Sequence, residues 1–212
     1  MKKNIINELK NLTNEKAEKV IFKLVKKSKL ITNEELNVIL NSGDFVVNIF
    51  IDNYVKLTPE QFSIIENYIN KNLDHENRLF VSDLIEFSTD FGLNLNYLQV
   101  CNLILDVSEN NHFVVLASVE YIYQNYKLSF ISQTFAVLDQ IIDNPYYYEN
   151  VQCSALFALY RITGKLKYVK RIKTLLKDSK ENQTYVSNKL KKLHNKEKYF
   201  RSKYFKKTLG IN

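Results

Sequence analysis

The amino-acid sequence predicts an all-α fold, and two observations lead to that prediction. Glycine and proline, which sheet-rich folds need in their many turns, occur only 4 and 2 times in 212 residues. Apolar residues recur at intervals of three and four, as in the row Phe80, Leu84, Phe87 and Phe91. We therefore expect helices joined by short polar connections.

Start and stop signals set the limits of the predicted helices. Residues 32–35 (Thr-Asn-Glu-Glu) and 58–61 (Thr-Pro-Glu-Gln) have the capping-box pattern, and residues 144–145 (Asn-Pro) form a similar start. Three glycines mark helix ends, namely Gly43, Gly92 and Gly164. The helices are expected near residues 3–12, 14–29, 33–42, 44–56, 59–72, 77–91, 95–108, 111–126, 129–143, 145–163, 165–178 and 182–206.

A repeat of about 34 residues runs through these helices. A valine begins the apolar row of every second helix, and successive valines lie 34, 34 and 36 residues apart, at Val47, Val81, Val115 and Val151. Each unit is thus a pair of helices with an apolar side that it cannot bury alone, and stacking the pairs would bury it.

Residues 145–178 carry a resemblance to a known family. The stretch from Val151 to Gly164, with its small residues and Leu159, resembles the second helix of a HEAT/armadillo-type repeat, and residues 165–178 resemble the first helix of the next unit. The resemblance implies a right-handed α-α superhelix (a HEAT-like solenoid) of about five to six helix pairs. An irregular helical bundle is the alternative.

We expect one repeat domain over residues 1–212, with strongly segregated charge. Residues 1–29 hold 9 basic and 3 acidic residues, residues 30–160 hold 4 and 17, and residues 161–212 hold 17 and 3. The net charges are therefore +6, −13 and +14. Together with the helix pattern, we expect basic N-terminal helices (1–29), repeats (30–180) whose acidic part ends near residue 160, and a basic C-terminal capping helix (181–212).

The acidic residues of the middle segment suggest a binding strip. Asp52, Glu86 and Glu120 each follow their valine by five residues, so a regular stack would align them, and Asp83 and Asp90 add to the same region. Such a strip, hereafter the acidic strip, would bind a basic protein. Solvation of the helices explains the same charges.

Two aromatic segments are further candidates for binding. Tyr146, Tyr147 and Tyr148 follow a turn and either contact a partner or pack between helices. Near the C-terminus, basic and aromatic residues alternate, a composition suited to phosphates and bases but equally to a solvated capping helix. Those residues are Lys198, Tyr199, Arg201, Lys203, Tyr204, Lys206 and Lys207.

The sequence contains none of the common catalytic or metal-binding motifs. The histidines, His75, His112 and His194, are scattered, and the two cysteines lack the spacing of a zinc site. Four separated glycines form no phosphate-binding loop. We therefore expect no catalytic residues, no metal and no cofactor.

The same reasoning gives a location and a functional class. No apolar segment reaches the roughly 20 residues needed to span a bilayer, and no signal-peptide core follows the N-terminal lysines, so we expect a cytoplasmic monomer. Cys101 and Cys153 should be buried thiols, with a disulfide between them as the alternative. The leading hypothesis is a protein-binding scaffold, such as an immunity or antidote protein that masks a basic toxin domain. A nucleic-acid adaptor acting through the C-terminal segment is the alternative.

Overall fold

The computed structural model describes residues 31–53, 56–106 and 111–178, together with residues 16, 19–21 and 184. Every regular element in these residues is helical, and no β-strand occurs among them. The predicted all-α class is confirmed. The expected basic segments 1–29 and 181–212 lie almost entirely outside the described residues.

Within residues 31–178, the described part of the chain forms nine α-helices and a short 3-10 helix. Most begin and end within three residues of the predicted limits. Their bounds are α1 Asn33–Leu40, α2 Asp44–Asn53, α3 Pro59–Asn72, α4 Arg78–Phe91, α5 Tyr97–Leu105, α6 His112–Asn125, the 3-10 helix Leu128–Phe130, α7 Ile131–Ile142, α8 Glu149–Thr163 and α9 Leu166–Asp178.

Local capping explains where several helices begin and end. Thr32 and Glu35 form a capping box at the start of α1, and Thr58 and Gln61 form another at the start of α3, as predicted. Gly92 and Gly164 end α4 and α8 with φ of 68° and 67°, a left-handed conformation that glycine adopts without steric cost.

The start of α8 differs from the prediction. Asn144 and Pro145 do not cap the helix, because the Asn144 side chain accepts a hydrogen bond from the backbone N–H of Tyr146 over 3.0 Å. The Asn144 carbonyl accepts from the N–H of Tyr147 in the same turn. This turn extends to Tyr148, which is the N-cap residue of α8, so the helix starts at Glu149.

The described residues fall into two compact units, divided between Tyr97 and Leu98. In the first unit, α1 packs against α2 and α3, and α4 packs against α2 and α3. Two hydrogen bonds fix the direction of α2 relative to α4. Asp44 accepts from Asn77, which caps α4, over 3.0 Å, and Asp83 accepts from Asn48 over 2.6 Å. Because both partners advance together along the chain, the two helices run parallel.

The second unit repeats this parallel arrangement in α6 and α8. The rings of His112 and Tyr148 meet near the start of the two helices. Farther along, Glu120 accepts from Ser154 over 2.7 Å. Near the far end, the carbonyl of Tyr123 accepts from Arg161 over 2.6 Å. Helix α8 also packs against α7 and α9 and is the most buried helix of the unit.

The cores of both units contain the residues that defined the sequence repeat. The aligned valines are all buried, with Val47 and Val81 in the first unit and Val115 and Val151 in the second. Cys101 and Cys153 are buried and form no disulfide, in agreement with the leading prediction. Burial raises the pKa of the Cys101 thiol to about 11.

Candidate functional site

The outward face of α4 combines an apolar side chain with a row of carboxylates. Leu79, Asp83, Glu86 and Asp90 follow one another at intervals of four, three and four residues, which places them on one side of the helix. Leu79 is 57% exposed, and Glu86 and Asp90 are exposed as well. The opposite side of α4 is buried in the first unit by residues such as Phe80, Leu84 and Phe87.

Helix α2 presents a similar face beside it. Phe45, Asn48 and Asp52 share one side of α2, with Phe45 45% exposed at the start of the helix and Asp52 exposed near its end. Val47 and Phe50 are buried on the other side. Because α2 and α4 run parallel, Phe45 and Leu79 both belong to the starting ends of these helices, and the carboxylates lie farther along.

Asp83 connects the two faces. Its carboxylate accepts a hydrogen bond from Asn48, and it lies close enough to Asp52 for the two charges to repel each other. Burial raises the pKa of Asp83, the charge of Asp52 raises it further, and the hydrogen bond from Asn48 opposes both effects. We call the four carboxylates Asp52, Asp83, Glu86 and Asp90 the acidic face.

Within α2 and α4, basic residues do not alternate with the carboxylates of the acidic face. Helices α2 and α4 together contain one basic residue, Arg78. It lies at the start of α4, where its guanidinium donates to the backbone carbonyl of His75 over 3.4 Å. The carboxylates of the acidic face therefore follow one another without an intervening basic residue, unlike the alternating charges of an ordinary solvated helix.

The fifth member of the predicted strip, Glu120, has a different environment. It belongs to the second unit, where it is half-buried and accepts the hydrogen bond from Ser154 that joins α6 to α8. Asp83 has the same kind of bond in the first unit. Of the predicted acidic residues, Asp52, Glu86 and Asp90 are exposed, whereas Asp83 and Glu120 hold neighbouring helices together.

An exposed apolar position recurs in the repeat and was missed in the sequence interpretation. Phe45, Leu79 and Phe113 each precede their aligned valine by two residues, and all three side chains are about half exposed. The alignment that revealed the valines would have shown this position as well. It was overlooked because an apolar residue in an amphipathic helix is ordinarily assigned to the core.

The structure separates the three tyrosines into two roles. Tyr147 is 8% exposed, and its hydroxyl donates to the carbonyl of Ile104 over 2.7 Å. Burial raises the pKa of this hydroxyl, and Asp106 adds to the effect. Tyr147 is therefore a packing residue that attaches the turn before α8 to α5. Tyr146, at 81%, and Tyr148 are exposed.

Tyr148 belongs to an aromatic cluster with His112 and Phe113. The His112 ring lies edge-on to Tyr148 at 4.1 Å and to Phe113 at 5.5 Å, measured between ring centroids. Burial lowers the pKa of His112, which favours the neutral imidazole in this cluster. The cluster exposes aromatic surface at the starting ends of α6 and α8.

The structure gives less information about the remaining functional predictions. Residues 198–207, the basic and aromatic segment near the C-terminus, lie outside the described residues. Among the residues that are described, no three His, Cys, Asp or Glu side chains are grouped so that they could hold a metal ion. In the same residues, no helix combines the length and hydrophobicity needed to cross a membrane.

Comparisons with known proteins give no family assignment. No family model matches the chain, and neither a curated protein nor a solved structure matches it.

Proposed function

We propose that this protein is a non-enzymatic protein-interaction module that binds a basic protein partner through α2 and α4. One observation carries the proposal. Two parallel helices expose carboxylates along adjoining faces, with apolar side chains at their starting ends and no basic residue between the carboxylates in the sequence of either helix. This combination offers a partner both charge complementarity and apolar contact.

The two parts of the surface would contribute differently to binding. Asp52, Glu86 and Asp90 would attract a basic partner during approach and thereby raise the association rate, an effect that salt weakens. Phe45 and Leu79 would lose their exposed apolar area on contact and so slow dissociation. The partner that suits such a surface is a segment with lysines or arginines along one part and apolar residues at one end.

We also propose that the helix pairs within each unit stack in the manner of HEAT repeats. The parallel second helices support this, because successive repeats of such a stack place equivalent helices side by side. The contacts join residues about one repeat apart, such as Asn48 with Asp83 in the first unit and Glu120 with Ser154 in the second.

A concrete form of the proposed binding function is an immunity or antidote protein that masks a basic toxin domain.

Charge reversal tests the proposed surface. The immobilised full-length chain is expected to retain a basic protein from a nuclease-treated lysate of the native cell, and moderate salt should release it. The variant Asp52→Lys, Glu86→Lys, Asp90→Lys should lose this retention. The matched control Asp74→Lys, Glu76→Lys, Asp139→Lys changes three exposed acidic residues elsewhere and should keep it.

The outcomes separate the alternatives. Equal retention by both variants would show that the acidic face serves only solvation and would refute the proposal. Equal loss in both would assign the effect to net charge and refute the specific surface as well. If the chain retained a basic protein from untreated lysate but not from nuclease-treated lysate, the result would instead favour the nucleic-acid adaptor.

A further inference from the structure

Helix α9 exposes a cluster of basic residues in the second unit. Tyr168, Val169 and Ile172 are buried where α9 packs against α8. The exposed positions between 167 and 174 are four cations and one threonine, namely Lys167, Lys170, Arg171, Lys173 and Thr174. We call Lys167, Lys170, Arg171 and Lys173 the basic face.

The charges of the basic face would destabilise α9 as an isolated helix. Lys167 is three residues from Lys170 and four from Arg171, and Lys170 is three from Lys173, so each pair brings like charges together. The first turn contains Lys167 and no acidic residue, although the start of a helix favours negative charge. Sequences that break several local rules together often do so at functional surfaces.

Little within the described residues offsets this repulsion. Arg171 pairs with Asp143 over 2.9 Å, but both side chains are largely exposed, so the ion pair contributes little. The Lys167 ammonium lies 4.7 Å from the centre of the Tyr168 ring. Among the described carboxylates, none is within ion-pair distance of Lys170 or Lys173.

We propose that the basic face of α9 binds the phosphate backbone of a nucleic acid. The three lysines follow one another at steps of three residues, which places them about 4.5 Å apart along the helix axis, an even spacing suited to a polymer with regularly repeated negative charges. Lysine, which supplies three of the four cations, contacts phosphate as a point charge without demanding one fixed geometry. This binding would not depend on the sequence of the nucleic acid, and it is independent of the proposed protein partner.

A membrane surface fits this helix less well than a nucleic acid. Amphipathic helices bind bilayers by inserting an apolar face, but Tyr168, Val169 and Ile172 of α9 are already buried where the helix packs against α8, which leaves Leu166 as a single exposed apolar side chain among residues 166–174. The neighbouring Arg161 is engaged by the carbonyl of Tyr123 and lies over the Tyr123 ring, so it fixes α8 rather than extending the basic face.

Fluorescence anisotropy with the full-length chain tests this inference. The probe is a labelled single-stranded DNA of mixed sequence, about 20 nucleotides long, titrated at several salt concentrations from about 50 to 200 mM. The variant Lys167→Glu, Lys170→Glu, Lys173→Glu is expected to bind at least about tenfold more weakly. Its plot of log affinity against log salt should be shallower by about two, since three phosphate contacts are lost.

Matched variants keep the result interpretable. Lys56→Glu, Lys71→Glu, Lys127→Glu makes the same change in net charge away from α9 and should bind nearly as well as the unaltered chain. Lys167→Gln, Lys170→Gln, Lys173→Gln removes the same charges without introducing negative ones, and it replaces the glutamate variant if that variant misfolds. Circular dichroism would reveal such misfolding.

Four results would overturn the inference. The first is no binding of the unaltered chain at the lowest salt. The second is an equal loss in the α9 variant and in the Lys56, Lys71 and Lys127 control. The third is undiminished binding by the α9 variant, which would place the contact elsewhere, including the basic C-terminal segment that all variants retain. The fourth is tighter binding to anionic lipid vesicles than to DNA, which would assign the face to a membrane instead.

Discussion

The side-chain amide of Asn48 donates a 2.6 Å hydrogen bond to the carboxylate of Asp83, and this contact joins α2 to α4. The two residues are 35 apart, about one sequence repeat, and each lies among the outward residues of its helix. The bond therefore fixes the relative position of the two acidic helices and also withdraws one carboxylate from free solvent. Asp83 therefore contributes both to the packing of the first unit and to its proposed binding surface.

A double-mutant cycle should measure this contact directly. The changes Asn48→Ala and Asp83→Ala, made singly and together, are expected to show a coupling energy of about 1 kcal/mol. Each single change and the double change remove the same hydrogen bond to a charged group, so their effects on stability should not add. Urea unfolding supplies the free energies. The cycle of Asn48→Ala with Asp90→Ala is the control, since Asp90 lies two turns beyond Asp83 along α4 and should be additive. Equal couplings in the two cycles would contradict the assignment.

The ionisation of Asp83 should appear in the pH dependence of stability. Burial and the charge of Asp52 raise the pKa of Asp83 above its ordinary 3.8. A carboxyl with a higher pKa in the folded state binds its proton more tightly there. Stability contributed by this proton is present at low pH and is lost as the pH rises from about 3.8 through the raised pKa.

Asp83→Asn tests that sign, because asparagine can still accept from Asn48 but cannot ionise. The free energy of unfolding of the variant minus that of the unaltered chain should increase as the pH rises through this interval. Urea titrations of both proteins between about pH 3 and pH 7 would measure the difference. A difference that stays constant or decreases would show that the pKa of Asp83 is not raised in the folded protein.

The local signals in the sequence predicted the helices well, and the exceptions have identifiable physical reasons. Capping boxes and left-handed glycines depend on three or four neighbouring residues, so Thr32, Thr58 and Gly92 could be interpreted directly. At Asn144 two local patterns compete, because an asparagine before proline can cap a helix or form a turn with its own side chain. The turn formed, and α8 begins later.

The candidate surface was harder to predict because exposure depends on neighbouring helices. Asp83 and Glu86 are both acidic residues of α4, yet one is bonded to α2 and the other is exposed. Periodicity gives the side of a helix on which a residue lies, but the depth of the adjoining packing decides whether that residue contacts solvent. The same limit hid Phe45 and Leu79, whose apolar character suggested the core.

Tyr147 and Tyr146 offer a matched pair for separating packing from exposure. Tyr147→Phe should destabilise the protein by about 1 to 2 kcal/mol, because the buried carbonyl of Ile104 loses its donor. Tyr146→Phe removes the same hydroxyl from an exposed ring and should change stability by less than about 0.5 kcal/mol. Urea unfolding compares the two. Similar effects would mean that the Tyr147 hydroxyl gains nothing from the carbonyl of Ile104.

The apolar ends of α2 and α4 should affect binding far more than stability. Phe45→Ala and Leu79→Ala truncate half-exposed side chains, so each should cost less than about 1 kcal/mol of unfolding free energy. Phe50→Ala and Leu84→Ala change fully buried neighbours on the same helices and should cost about 2 to 5 kcal/mol, since each leaves a cavity. Chemical unfolding compares the four variants.

The double variant Phe45→Ala, Leu79→Ala then separates surface from core in the retention assay. It should remain folded, keep its carboxylates and still release the basic partner more readily than the unaltered chain, because apolar contact at the helix starts is lost. A large loss of stability would show that these side chains complete the core. Unchanged retention in a stable variant would confine binding to the carboxylates, since charge attraction would then account for the whole interaction.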